Sequence, residues 1–156
     1  MRRYVLPLLA TLLCWPAAAF ATTAHRLFEI ERSVNGNRVA YDWRPGSEPI
    51  RAYWLLEEGG TEELSGLEWQ FAYGVSVEWS GDDGARFTLR PVAHRAIDVQ
   101  RTPEGPAAVL EIDGRKCRLD RIWVEIGGGL LPGVEFVLLQ GRSVDDGAAC
   151  EERIVP

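Results

Sequence analysis

Few groups in this chain have the types and spacing that chemistry demands. His25 and His94 each stand without a second His, Cys or carboxylate at metal-ligand spacing, so both read as exposed histidines rather than zinc ligands. Adjacent acids occur at Glu57-Glu58, Glu62-Glu63, Asp82-Asp83, Asp145-Asp146 and Glu151-Glu152. A glycosidase needs two carboxyls facing each other across a cleft, and neighbours on a strand point to opposite faces. Solvated turns and helix starts account for these pairs, and the alternating carboxylates of a calcium loop are missing. Ser65-Gly66 and Arg142-Ser143-Val144 lack the glycine-flanked nucleophile of hydrolases, and Gly127-Gly128-Gly129 has no lysine or helix after it to cradle phosphate. The sequence therefore leans against an enzyme and names no catalytic residue, metal or cofactor. The enzymatic option it leaves is Glu57 or Glu135 brought beside Arg32 by the fold.

The aromatic side chains carry more information. Tyr41, Trp43, Tyr53, Trp54, Trp69, Phe71, Tyr73, Trp79 and Trp123 suit sites that are apolar in body and polar at one end, and they equally suit a packed core. Arg32 follows Phe28 and Ile30 on what reads as the dry face of a strand, where a guanidinium is costly unless it meets a carboxylate or carbonyls, or reaches the rim. The candidate ligand-binding set is Arg32, Tyr41, Trp54 and Tyr73, with the three rings lining a cavity and Arg32 anchoring a polar end.

These residues must be positioned by strands. Val75, Val77 and Trp79 alternate with polar residues, as do Phe87 and Leu89 across the turn Gly81-Asp82-Asp83-Gly84, which is the pattern of a hairpin. RLFEIERS and NRVAYDW flank Val34-Asn35-Gly36 in the same way. Further strands are expected near residues 50–57, 95–101, 107–112, 117–126, 134–140 and 152–155, joined by short turns that favour antiparallel pairing. Across residues 60–74 the period changes: Thr61 reads as an N-cap, Leu64, Leu67 and Phe71 as a buried helical stripe, and Gly74 as a left-handed helix stop. The expected fold class is mainly β, an antiparallel barrel-like or sandwich fold of about eight strands with one short helix; the barrel is preferred.

The N-terminus has Arg2 and Arg3, an apolar run over residues 4–20 and a small-residue cleavage site, the layout of a secretory signal peptide over residues 1–21. Pro7 and Pro16 interrupt the run and argue against a membrane anchor, the residues before Cys14 do not fit lipidation, and the paired arginines make only a weak twin-arginine signal. Residues 22–156 then form a single β-rich domain, expected to be periplasmic or secreted, monomeric and without a membrane span. Two arginines leave with the leader, taking the net charge from -6 to -8, which disfavours nucleic acid and anionic membranes. Cys117 and Cys150 remain for an oxidising compartment, and a disulfide between them is expected, with two buried thiols as the alternative.

Taken together, LFEIERSVNGNRVAYDW, IRAYWLLEEGGTEELSGLEWQFAYGV and RIWVEIGGGLLPGVEFVLLQGRSVDDGAACEERIVP resemble a bacterial exported family, the domain of unknown function numbered forty-eight thirty-three. The resemblance rests on Glu31-Arg32-Ser33, the turn at Asn35, Tyr53-Trp54, Ala72-Tyr73-Gly74, Pro132 and Glu152, and implies no activity; the two cysteines lie outside it. Two functions follow as expectations. One is the binding of a small apolar or amphipathic ligand. The other is an envelope interaction module, with an envelope protein as partner, acting through a surface patch or a sheet edge that a partner extends.

Overall fold

The computed structural model describes residues 24–128 and 133–156. The expected leader, Cys14 and Pro132 lie outside the described residues. Eleven strands build one sheet: β1 (His25–Arg32), β2 (Asn35–Trp43), β3 (Ile50–Leu55), β4 (Thr61–Glu63), β5 (Val75–Gly81), β6 (Gly84–Leu89), β7 (Ala96–Thr102), β8 (Gly105–Ile112), β9 (Arg115–Ile126), β10 (Val134–Ser143) and β11 (Ala149–Ile154). Between β4 and β5 lies a short helix, α1 (Gly66–Glu68), which runs on as a π-helical turn over Trp69–Tyr73.

β9 organises the sheet. One of its edges pairs with β10, which in turn carries β11. Its other edge is shared, with β8 antiparallel over residues 115–118 and β1 parallel over residues 121–124. The sheet therefore forks into a wing of β1 to β4 and a wing of β5 to β8, and curls into a half-barrel. The helical segment joins the outermost strands of the two wings, β4 and β5. Inside the curl the alternating dry faces meet: Phe28 stacks on Tyr41 at 4.7 Å, and Val39, Phe87, Leu89, Ile97, Leu119, Ile122 and Leu139 are fully buried around them. Each such large side chain contributes roughly 1.5 to 3 kcal/mol by leaving water.

Several expectations are corrected. The strands number eleven rather than about eight, and the β1–β9 pair is parallel among otherwise antiparallel neighbours. Thr61 does not cap a helix: it opens β4, which hydrogen-bonds to β3. The helix starts at Ser65, whose hydroxyl accepts from Glu68 N while the Glu68 carboxylate accepts from Ser65 N, a capping box. Because it begins four residues late and unwinds into a π turn, its faces rotate. Leu67 and Phe71 are 70% and 71% exposed, and Tyr73 is the buried residue. Gly74 ends the turn at φ -64°, an ordinary extended conformation, so left-handedness is not why glycine stands there. The reason is contact: a Cβ at Gly74 would sit 2.1 Å from the carbonyl oxygen of Trp69. The β1–β2 turn is Ser33-Val34, ahead of the expected Val34-Asn35-Gly36, and Asn35 and Gly36 already belong to β2.

Candidate functional site

The four residues singled out from the sequence come together, as a packed cluster. Tyr41 is buried at the centre of β2, and its hydroxyl donates to the carbonyl of Tyr73 at 2.8 Å. Burial pushes the Tyr41 phenol well above the usual tyrosine range. Trp54 meets Tyr73 edge to face, with centroids 5.3 Å apart, and its indole Nε1 donates to Glu68 at 3.2 Å. Arg32 lays its guanidinium over the Trp54 ring at 4.6 Å and donates to Asn35 Oδ1 at 3.3 Å, while its Nε is buried without a partner. Arg32 is thus half-buried, resting on an aromatic face rather than gripping a carboxylate or a cluster of carbonyls. Burial raises the Tyr73 phenol, against the pull of Arg32. The Ser65 amide holds the Glu68 carboxyl below its ordinary range, helped by Ser65 Oγ, the Trp54 indole and the Arg32 charge. Every member of this cluster thereby touches the helical segment or supports a residue that does.

The helical segment in turn presents Trp69 to a groove of about 630 Å³. The groove lies where the half-barrel stays open. One wall is β3 at residues 50–52; β4 pairs with Tyr53, Trp54 and Leu55, so among the described residues this stretch of the β3 edge has no strand beside it. The opposite wall is β5 at Val75 and Val77, whose one strand neighbour among the described residues is β6. Leu64 and Trp69 supply the apolar floor. At the rim, Arg51 pairs with Glu63 and Arg44 with Glu48, so the groove is apolar within and neutral, though charged, at its margin. The Glu63 hydrogen bond raises the Arg51 guanidinium further above its already high range.

None of Arg32, Tyr41, Trp54 or Tyr73 lines this groove. Sequence reading missed Trp69 as a site residue, and the missed signal was the capping box Ser65-Gly66-Leu67-Glu68, which sets the true start of the helix. Other exposed apolar side chains are Trp79, half exposed on the bulged end of β5, and Leu67 and Phe71 on the helical segment.

Of the residues in the enzymatic option, Arg32 lies over Trp54. Glu57 is exposed and accepts from the amide of Gly36 at 3.1 Å, and Glu135 is exposed beside Gly127. Among the described residues no three His, Cys, Asp or Glu side chains come together as metal ligands. His25 and His94 are both exposed. Among the described residues, too, no helix is long and apolar enough to cross a membrane. Cys117 and Cys150 form a disulfide that ties β9 to β11 across β10.

The family model described as Domain of unknown function (DUF4833) matches residues 28–153, from within β1 to the penultimate residue of β11. The chain belongs to that family. No curated protein and no solved structure matches it.

Proposed function

We propose, taking membership of this family as the premise, that the chain is a non-enzymatic binding domain that captures an extended peptide segment of an envelope protein in the groove between β3 and β5. The observation that carries this reading is the pair of unpaired sheet edges that face the same apolar groove, one at residues 50–52 and the other on β5. A strand entering there finds main-chain donors and acceptors along its length, and every second side chain turns down toward Trp69, Leu64 and Val77. The intervening side chains turn out toward Arg51, Glu63, Arg44 and Glu48, so a partner with alternating apolar and polar residues fits, and one with a block of like charge does not. The cluster of Arg32, Tyr41, Trp54 and Tyr73 serves this function from behind, by holding the turn that carries Trp69. A periplasmic or secreted setting suits both the disulfide and the apolar N-terminal run.

Titration of the isotopically labelled protein with a capped peptide of alternating threonine and valine tests this. The expected result is saturable change in the amide signals of residues 50–52 and 75–77, slowed hydrogen exchange at those amides, and loss of both effects in Val77→Lys and Trp69→Ala. Saturable binding that leaves those amides unchanged, or that survives both substitutions, refutes strand capture.

The groove volume supports a second reading. About 630 Å³ falls in the range that holds drug-sized molecules, and an amphipathic ligand could lie with its body on Trp69 and its polar end at Arg51 and Arg44. Native mass spectrometry of protein purified from a periplasm separates the two: a stoichiometric small molecule released on denaturation favours this ligand, and a bare chain that binds the peptide favours the strand.

A further inference from the structure

On the outer face of the sheet, Arg118 of β9 and Arg142 of β10 are direct cross-strand partners. Two like charges placed opposite one another destabilise a strand pair. Both lean on one carboxylate, Asp120, at 3.4 and 3.3 Å, and Arg118 also has Glu104 at 3.6 Å. These are contacts between charges without hydrogen-bond geometry. Elsewhere in the chain the arginines are better satisfied: Arg86 grips both oxygens of Asp98 at 2.6 and 2.8 Å, and Arg121 places two nitrogens on Gln140 at 2.8 and 2.6 Å. A guanidinium offers five donors in a rigid fork, and Arg118 and Arg142 keep theirs largely unspent.

Beside the pair lies a hollow of about 560 Å³. Its charged lining is Arg101, Arg118 and Arg142 against the one carboxylate Glu104, and Pro103, Val109 and Val144 supply apolar wall. Arg101 is held by Asp83 at 3.1 Å. Asp120 belongs to the lining of a neighbouring hollow, shared with Arg26 and Glu29, and is absent from this one. The chain's overall charge is negative, yet three guanidiniums line this one concavity, and Asp120, which two of them share, stands outside it.

We propose that this hollow binds an organic oxyanion, a phosphate monoester or carboxylate bearing an apolar group, whose oxygens bridge Arg118 and Arg142 while the apolar group rests on Val109 and Val144. Phosphate and carboxylate share the paired acceptor oxygens that match a guanidinium fork. The bound anion relieves the repulsion between the two arginines, which supplies a reason for placing them opposite each other. Asp120 is the internal competitor for the same donors and sets how tightly the anion binds. The negative field of the whole chain opposes a long-range approach, so recognition acts at short range. The site is independent of the groove between β3 and β5.

The test is a titration with phenyl phosphate, benzoate and inorganic phosphate at constant ionic strength, read from the arginine Nε–Hε signals, with chloride as the reference. Saturable shifts of Arg118 and Arg142 are expected, with phenyl phosphate binding more tightly than inorganic phosphate. Arg142→Gln, at an exposed position, is expected to weaken binding by about tenfold or more. Asp120→Asn is expected to tighten it by roughly tenfold, because the competing carboxylate loses its charge; a purely structural Asp120 would not give that gain. The proposal fails if the shifts grow linearly with every salt including chloride, or if saturable binding is the same in both variants. Relative affinities for phenyl phosphate and benzoate identify which oxyanion the hollow prefers.

Discussion

The phenol of Tyr41, at the centre of the buried sheet, donates its proton to the backbone carbonyl of Tyr73 at 2.8 Å, and through that bond the core fixes the turn that carries Trp69 to the groove. Tyr41→Phe keeps the stack on Phe28 and removes only this donor, leaving a buried carbonyl unpaired. The expected cost is about 1 to 3 kcal/mol in denaturant unfolding, with faster hydrogen exchange across residues 66–73. Unchanged exchange there would mean that the helical segment is held by its caps and Trp54 alone. The raised pKa of Tyr41 has its own sign: the neutral phenol is the stable form, so its stabilisation is complete below about pH 10 and is lost as pH rises through the folded value.

Gly74 lies directly against the backbone of Trp69. The chain leaves the π turn so close to the Trp69 carbonyl that a methyl group has no room, and a backbone oxygen cannot step aside as a flexible side chain can. Gly74→Ala is therefore expected to destabilise by about 1 to 3 kcal/mol and to disturb the intrinsic fluorescence of the groove tryptophan. Its φ of -64° would be comfortable for alanine, so a stability loss of this size isolates the close approach as the cause.

Glu152 latches the last strand to the rest of the fold. Its carboxylate accepts from Arg95 Nη1 at 2.7 Å, from Arg95 Nη2, and from the amide of Asp113 at 2.7 Å. The Arg95 bond first, and then the Asp113 amide, hold its pKa below the ordinary carboxylate value. A depressed carboxylate stabilises fully above its unfolded pKa of about 4.3 and loses that contribution as pH falls through the folded pKa. Glu152→Gln is expected to cost about 1 kcal/mol at neutral pH, where the pair is partly exposed. That difference from the parent should shrink in urea melts as the pH drops below about 4; a pH-independent difference would assign the cost to packing instead.

Much of the fold was legible because a half-buried strand writes itself as an alternation. Val75 through Leu89 announced the β5–β6 hairpin and its Asp82-Asp83 turn, but a bulge between Val77 and Trp79 breaks the expected alternation and leaves β5 without the dry face that β6 has. The helix was misread because periodicity counts apolar residues without saying which of them find a partner. Leu64, Leu67 and Phe71 do fall at helical spacing, but the wing beneath them already has its core, and Leu67 and Phe71 face outward. Leu67→Ser and Phe71→Ser are accordingly expected to change stability by no more than about 0.5 kcal/mol each in thermal melts. Losses of several kcal/mol would restore them to the core.

Two of the residues on which the family resemblance rests, Glu31 and Ser33, are joints. Ser33 donates its amide to Val124 and accepts from the amide of Ile126, which fastens the β1–β2 turn to β9, and Glu31 reaches Arg121 on the same strand. Tyr41, Trp54 and Tyr73 were legible only as aromatics with a polar end; that Tyr41 and Trp54 share a face follows from the β2–β3 register, and their depth from where the opposite wing closes. The groove escaped sequence reading altogether. It is defined by which strand edges lack neighbours, and the three-residue β4 that leaves part of β3 uncovered has no alternating pattern long enough to announce itself.

The disulfide makes the last prediction, and the most direct. Cys117 on β9 and Cys150 on β11 are 33 residues apart and flank β10, so the bond holds the final strand to the strand on which both wings depend. Closing a loop of that length restricts the unfolded chain by about 3 to 4 kcal/mol in the loop-entropy model. The double variant Cys117→Ala, Cys150→Ala, or reduction of the parent, should lower the melting temperature by that equivalent and first release the amides of β11 to exchange. β11 is an edge strand with six residues and one neighbour, and Glu152 alone would then hold its far side. If reduction instead unfolds the whole domain in a single step, β11 is part of the cooperative core. The groove between β3 and β5, formed by other strands, should keep its peptide affinity after reduction in the first case and lose it in the second.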